Sequence, residues 1–499
     1  MKKINLLVMS LVSAAALSFS SCSSDNDLGG GASGGNSQVD GFYMTLAIQT
    51  PTSNGTRTAQ SNEAPATADE SAITSGTFYL VDSNNEKVWS KRISEDEFKN
   101  IKFEDKQTGK TQLQIEVEDV VAGTTYKVYF LANTQEAPTP WKNTTFQATE
   151  KFVNKLADPN NFAMFNQNDK GNDIVTGIDG HGYTVVFKDE NKKIETPAEV
   201  KYNNAVAPIK IERITARIDR PTQEKSDVIA ELESPSTSVG VAEISAMKDA
   251  KNKVKSIKMT KYAIANLANT SYIMQHWNDN KDLLLPTDIS DFAYWQPKKD
   301  FGDKYTFKGD KLFYEITDEN HDKNYVFENN SELNPTTMYF EYKVTLDDSK
   351  FTNPADFADG TFYRYNNKIY NSFAEIRKAY NDVEGLFEGK TDAELIAELK
   401  AAKDDTTDPE AKIAAFRQKY DIEVFNKGKT YYSTVIKDNF IGYDNAIQRN
   451  TVYQLKVNNV YNVGAQVPNG TPDKTALFYL DVTVSVNPWV LNTQDVNLQ

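Results

Sequence analysis

The chain has 499 residues, one cysteine, three histidines and a net charge of −15. That length allows two or three domains, a lone cysteine excludes an internal disulfide, and an acidic surface disfavours nucleic acid and anionic lipid. With 25 Tyr and 26 Phe, and with apolar and polar residues alternating through most of its length, the body reads as an aromatic-rich β protein.

Lys2 and Lys3 precede an apolar run ending near Leu17, too short to span a bilayer and of signal-peptide length. Phe19-Ser20-Ser21-Cys22 then places small residues before the cysteine, the pattern of a lipoprotein signal. Cys22 is therefore the expected lipidation site, residues 1–21 the leader, and a bacterial cell surface the place where the chain works. A Gly/Ser/Asn tether follows, with nothing to bury. Phe42, Met44, Leu46 and Ile48 next share one face of an amphipathic strand. Beyond it lies a polar linker holding Asn54-Gly55-Thr56-Arg57-Thr58-Ala59, an exposed arginine among small residues and an easy protease target.

Thr77 to Val81 and Lys87 to Trp89 flank Ser83-Asn84-Asn85 as a hairpin. Alternation continues at Leu113 to Val117 and Tyr126 to Phe130. Val206 to Ile218 reads as one or two strands interrupted by Pro208, and a polar stretch from Pro221 suggests a boundary between domains 58–220 and 221–499. Ile264 to Trp277 reads as a helix or an irregular layer. Within 371–425 the periodicity turns helical: Thr391-Asp392-Ala393-Glu394 has the form of a capping box, and Asp408-Pro409 opens another helix. Strands return at Thr430 to Val435, Val452 to Val460, and Phe478 to Val486. In the last, Phe478, Leu480, Val482, Val484 and Val486 share one face, and residues 476–499 form a candidate donor strand for a second molecule.

Motifs for catalysis are sparse. His181, His276 and His321 lack the spacing of a zinc site. The Gly-Lys-Thr triplets at Gly109, Gly389 and Gly428 lack the earlier glycine of a phosphate loop, and Gly29 to Gly35 lies in the tether rather than between strand and helix. No cofactor, metal or catalytic residue is expected. Besides a role in assembly, two other readings stand: a monomeric surface lipoprotein whose Trp89, Trp141, Trp277 or Trp295 stacks on glycans, and a glycosidase using a carboxylate pair.

Several segments together resemble the Bacteroidales fimbrillins, major subunits of type V pili, closest to their short-fimbria branch. These are the lipobox cysteine, Tyr43-Met44-Thr45-Leu46 with Gly55-Thr56-Arg57, Ile211-Glu212-Arg213-Ile214-Thr215-Ala216-Arg217, Gln448-Arg449-Asn450-Thr451-Val452-Tyr453, and Asp481 to Trp489 with Asp495-Val496-Asn497-Leu498. The resemblance implies a mainly β fold of two transthyretin-like, Greek-key sandwich domains, the second carrying the helical insertion. It also implies a life cycle. The lipoprotein reaches the outer membrane, an Arg-specific surface protease cuts after Arg57 so that Thr58 becomes the N-terminus, and the strand within 22–57 is lost. The emptied groove accepts a neighbour's C-terminal strand, giving a fimbrium that supports adhesion. Implied partners are further copies of the chain, minor anchor and tip subunits (either of which this chain could itself be), and host or bacterial receptors.

Overall fold

The computed structural model describes residues 38–49, 64–133, 162–167, 182–194, 205–277, 313–436, 447–468 and 480–490, apart from short breaks, with a few isolated stretches between. Strand-forming alternation becomes strand almost wherever it occurs, and the fold is mainly β.

The first half holds β1 (Gln38–Gln49), β2 (Ala64–Pro65), β3 (Gly76–Val81), β4 (Lys87–Ile93), β5 (Lys102–Asp105), β6 (Lys110–Val117), β7 (Thr125–Ala132), β8 (Met164–Asn166), β9 (Tyr183–Val186), β10 (Lys192–Ile194) and β11 (Ala205–Arg213). Apart from β2 they form one path, β4-β3-β7-β8-β11-β1-β6-β5, with β9 on β7 and β10 on β1. β11 folds this path over by changing partner along its length. Residues Ala205 to Lys210 run parallel to β1, whereas Ile211 to Arg213 pair antiparallel with β8. Pro208 is tolerated in this strand because its stretch faces β1 alone among the described pairings, so one missing N–H costs little. Two layers result, and their inner faces meet in one core: Phe42, Met44, Leu113, Ile115 and Val117 from one side, Phe78, Leu80, Val128, Phe130 and Met164 from the other.

The second half repeats the scheme. β12 (Ala216–Asp219) follows β11 after two residues, and sheet membership changes there. With β13 (Val254–Ala265), β14 (Lys323–Val326), β15 (Thr337–Leu346), β19 (Lys429–Val435), β20 (Thr451–Val460) and β21 (Leu480–Val490) it builds a sheet ordered β2-β21-β20-β12-β14 and a facing sheet with β13-β15-β19, while β16 (Phe362–Tyr365), β17 (Lys368–Tyr370) and β18 (Glu423–Phe425) form a separate three-stranded sheet. Ile218, Leu455 and Val457 of the former meet Ile257, Phe340, Tyr342 and Val344 of the latter.

Among the described residues, the helices of seven residues or more occupy two places. α1 (Val241–Lys253) leads into β13. α2 (Phe373–Ala379), α3 (Asp392–Lys403) and α4 (Pro409–Tyr420) pack with β16, β17 and β18 around a separate core that includes Tyr363, Phe373, Leu395, Leu399, Ile413 and Phe416. Thr391 and Glu394 form the reciprocal cap the sequence suggests, and the Asp408 side chain accepts from the Ala411 amide. The insertion returns to β19, beside β15, through Gly428, at φ +70°, where a Cβ would lie 2.6 Å from the Val344 carbonyl oxygen. Residues Ile264 to Trp277 are an irregular layer: β13 ends at Ala265, and only two-residue strands follow. Among the described residues no helix is long and apolar enough to cross a membrane.

Candidate assembly site

β1 lies inside its sheet. It pairs antiparallel with β6 from Phe42↔Val117 to Leu46↔Leu113, and parallel with β11 from Met44↔Ala205 to Gln49↔Lys210. Phe42 and Met44 are buried, and the Phe42 ring meets Phe187 edge-on at 5.4 Å, with Tyr126 packing on the same phenylalanine. Leu46 stands opposite Leu113 and Ala207, and Ile48 opposite Ile209. The strand thus supplies two ladders and part of the first core. At its far end the chain passes through residues 50–63 to β2, which belongs to the other half.

β21 runs antiparallel to β20 from Thr451↔Pro488 to Val460↔Leu480. Leu480, Val482, Val484 and Val486 stand opposite Val460, Val457, Leu455 and Tyr453, all buried core residues. On the other edge of β21 only β2 is found among the described residues, parallel, with Ala64 opposite Trp489 and Pro65 opposite Val490. Cys22, Arg57, Thr58 and Phe478 lie outside the described residues.

Between the two strands lies a polar junction that reading for chemistry did not single out. Just past β2, the Glu70 carboxylate accepts from the Thr67 amide (2.8 Å), the Tyr325 hydroxyl (2.8 Å) and Arg217 Nη1 (3.1 Å), and pairs with Lys323 Nζ at 3.0 Å. Arg217 also donates to Asp219 (2.7 Å), and Arg213 Nε donates to the Glu70 carbonyl (2.8 Å). Burial works against the Glu70 charge, but the Thr67 amide, Arg217, Tyr325 and Lys323 outweigh it and hold the carboxyl at about 2. A second ion pair joins Arg449 and Glu328 at 2.9 Å, both almost wholly buried, with Gln275 donating to Glu328 and the Ile273 and Tyr272 carbonyls accepting from Arg449. Asn450, at φ 51°, donates its amide to the Thr215 carbonyl at 2.8 Å. Tyr79, Tyr129 and Phe165 from the first half and Ile214, Ile273 and Phe327 from the second close an apolar cluster over this junction.

The arginines sit in the two segments noted earlier, 211–217 and 448–453, and the structure brings those segments together. Residue types alone misplace them, because arginine and glutamate are rarely buried unless paired, and their partners lie far off in sequence. The available signal was arginine inside strand-forming sequence at Arg213 and Arg217, and directly before a strand at Arg449. As a set, the arrangement offers interlocking strands and a braced joint.

Two family models match the chain: the fimbrillin C-terminal region of the type IV major fimbrial subunit protein over residues 423–495, and the major fimbrial subunit protein FimA over residues 43–213. No curated protein matches it. Among solved structures, a candidate cell adhesion protein from Parabacteroides distasonis is similar at 14% identity over 90% of this chain and 98% of that one, with a TM-score of 0.42. A fimbrial assembly protein from the same organism is 12% identical over 62% of this chain and 99% of its own, with a TM-score of 0.27. A candidate polysaccharide-binding protein from Bacteroides thetaiotaomicron is 10% identical over 91% and 99%, with a TM-score of 0.29. TM-scores this low leave the assignment to the two sequence matches. The first covers β18 through β21 and the second β1 through β11, the elements that carry both interlocking strands, and on them the chain belongs to the fimbrillin family of major fimbrial subunits.

Proposed function

We propose that this structural subunit of a cell-surface fimbria is exported as a lipoprotein through Cys22, cut after Arg57, and polymerised when a neighbour's C-terminal strand replaces β1. The observation that carries the reading is the place of β1. It is an interior strand between β6 and β11, so its loss opens a slot roughly two strand spacings wide, about 10 Å, lined by unpaired backbone on both sides. The linker that follows it carries Arg57 among small residues, the composition that suits a protease site. The remainder of the chain has its own anchor in Glu70, so cutting upstream leaves the mature N-terminal segment fixed.

In this scheme the partners are further copies of the chain, minor anchor and tip subunits, an Arg-specific surface protease, and receptors on host or bacterial surfaces. The incoming strand brings Phe478, Leu480, Val482, Val484 and Val486, each worth roughly 1.5–3 kcal/mol when buried. With ladder bonds on two sides, a bond that survives SDS is expected. Surface-extracted protein should begin at Thr58 and run as an SDS-resistant ladder. Lipidated monomer beginning at Cys22, with no ladder, would refute the scheme. Arg57→Ala should leave lipidated monomer at the outer membrane.

A further inference from the structure

The turn that leaves β20 is held from outside its own sheet. Ala465 exchanges two backbone hydrogen bonds with Tyr431 of β19, each 2.9 Å, and its carbonyl also accepts from the Thr430 hydroxyl at 3.2 Å. The Tyr432 hydroxyl donates to the Asn462 carbonyl at 2.6 Å. The helical insertion supplies the other donors. Arg364 Nη1 on β16 donates to the Val463 carbonyl at 2.7 Å, and the Val424 amide on β18 donates to the Gln466 side-chain oxygen at 2.7 Å. Arg417 Nη2 on α4 reaches the Gln466 carbonyl at 3.5 Å. Among the described residues, no hydrogen bond from Asn462 to Gln466 goes to β21.

Both arginines are themselves fixed. Arg364 forks onto Glu423, with Nη2 to Oε1 at 2.7 Å, and stands over the Phe425 ring. Arg417 is buried and donates from Nε to the Val424 carbonyl at 3.1 Å. Asn462 and Val463 are buried too, and a Cβ on Gly464 would lie 2.3 Å from the Tyr431 carbonyl oxygen, so only glycine lets the turn lie this close.

From this we infer that the helical insertion is a clamp on the root of the C-terminal strand. Its β16, β18 and α4 fix residues 462–466 against β19, so that separation of β21 from β20 stops short of that turn. The clamp belongs to the single chain; its use in assembly rests on the proposed strand exchange. A strand that peels from a sheet edge carries its connection with it when that connection has few bonds of its own. β19 by itself offers one isolated bridge, at Ala465, which would open readily. Arg364 and Val424 add bonds on either side of that bridge, and they are set in a core that contains no residue of β21. Val463 also belongs to the second core, so that core stays closed at this end while β21 comes and goes.

The test is native-state hydrogen exchange on the full-length monomer, in urea below the global transition. The Ala465 amide, which donates to Tyr431, should exchange at least about tenfold more slowly than the amides of Val482 to Val486. Arg364→Met and, separately, Gln466→Met should each speed Ala465 about tenfold toward the β21 rate while β15 amides keep theirs. Equal rates and equal urea dependence for Ala465 and β21 in the wild-type chain overturn the clamp, as do variants that leave Ala465 unchanged. If Arg364→Met does not fold, Gln466→Met decides, since it leaves the insertion core intact. In polymer made from the cut chain Ala465 should stay protected, and its loss there would overturn the role in assembly. Cut wild-type chain that forms no polymer refutes strand exchange, while the monomer result still decides the clamp.

Discussion

The buried Arg213 guanidinium donates from Nη1 to the Asn450 side-chain oxygen 3.0 Å away, joining the last residue of β11 to the turn that opens β20. Neither residue is near the other in sequence, and the bond crosses from one half of the molecule to the other. Around it, Glu70 and Arg449 carry the ionic weight of the junction, and both can be tested.

Glu70 sets an acid limit. Burial would raise its carboxyl, but its four partners hold it at about 2, below the ordinary 4.5. A depressed folded-state value means stabilisation present above pH 4.5 and lost as the pH falls toward 2. Hydrogen exchange at residues 64–71 should therefore accelerate across that window while the sheet cores stay protected. Glu70→Gln should abolish the acid step and lower stability by about 3 kcal/mol in urea unfolding, since Arg217 keeps Asp219 as a partner.

Arg449→Met should cost about 3–5 kcal/mol, because it strands the Glu328 carboxylate in a dry site. Adding Glu328→Gln should restore a large part of that loss. A double-mutant cycle measures it; simple additivity of the two losses would mean the pair is not coupled.

The helical insertion should respond to pH with the opposite sign. Burial raises the Asp356 carboxyl to about 6, against the lowering effect of the Phe373 amide and the Tyr363 hydroxyl, and with a smaller rise from Asp392. A folded-state value above the ordinary one makes the insertion most stable below about pH 4 and progressively less so as the pH passes 6. Asp356→Asn should flatten that profile, read as the pH dependence of exchange at residues 371–379, while still accepting the Phe373 amide.

In the uncut chain, Phe42→Ala should remove about 3–4 kcal/mol from the first half, as for other buried phenylalanines. Calorimetry should show that transition moving while the one for the second half stays. A single unchanged transition would place Phe42 outside the folding core.

Much of this was legible from alternation. β1, β7, β19 and β20 declare themselves by period two, and α3 and α4 by their caps. α1 was missed because its buried residues are Ala246, Met247 and Ala250, a weak stripe, and because Gly240 before it gives no side-chain cap. Breaks such as the one at Ile214-Thr215 follow from partner changes between sheets, which no local pattern encodes. The junction was hidden for the same reason: Glu70 finds Arg217, Lys323 and Tyr325 only after both halves have folded.

The path from β11 through Ile214-Thr215 into β12 carries a mechanical meaning. β12 lies beside β20, and β20 beside β21. While β21 stays on β20, tension entering on β11 crosses β12 and β20 and leaves on β21 through backbone ladders alone. Along-strand pulling loads every rung of those ladders together rather than one at a time, and the Arg213–Asn450 strut resists shear at the single point where the load changes sheets. The subunit would behave as a tie rod.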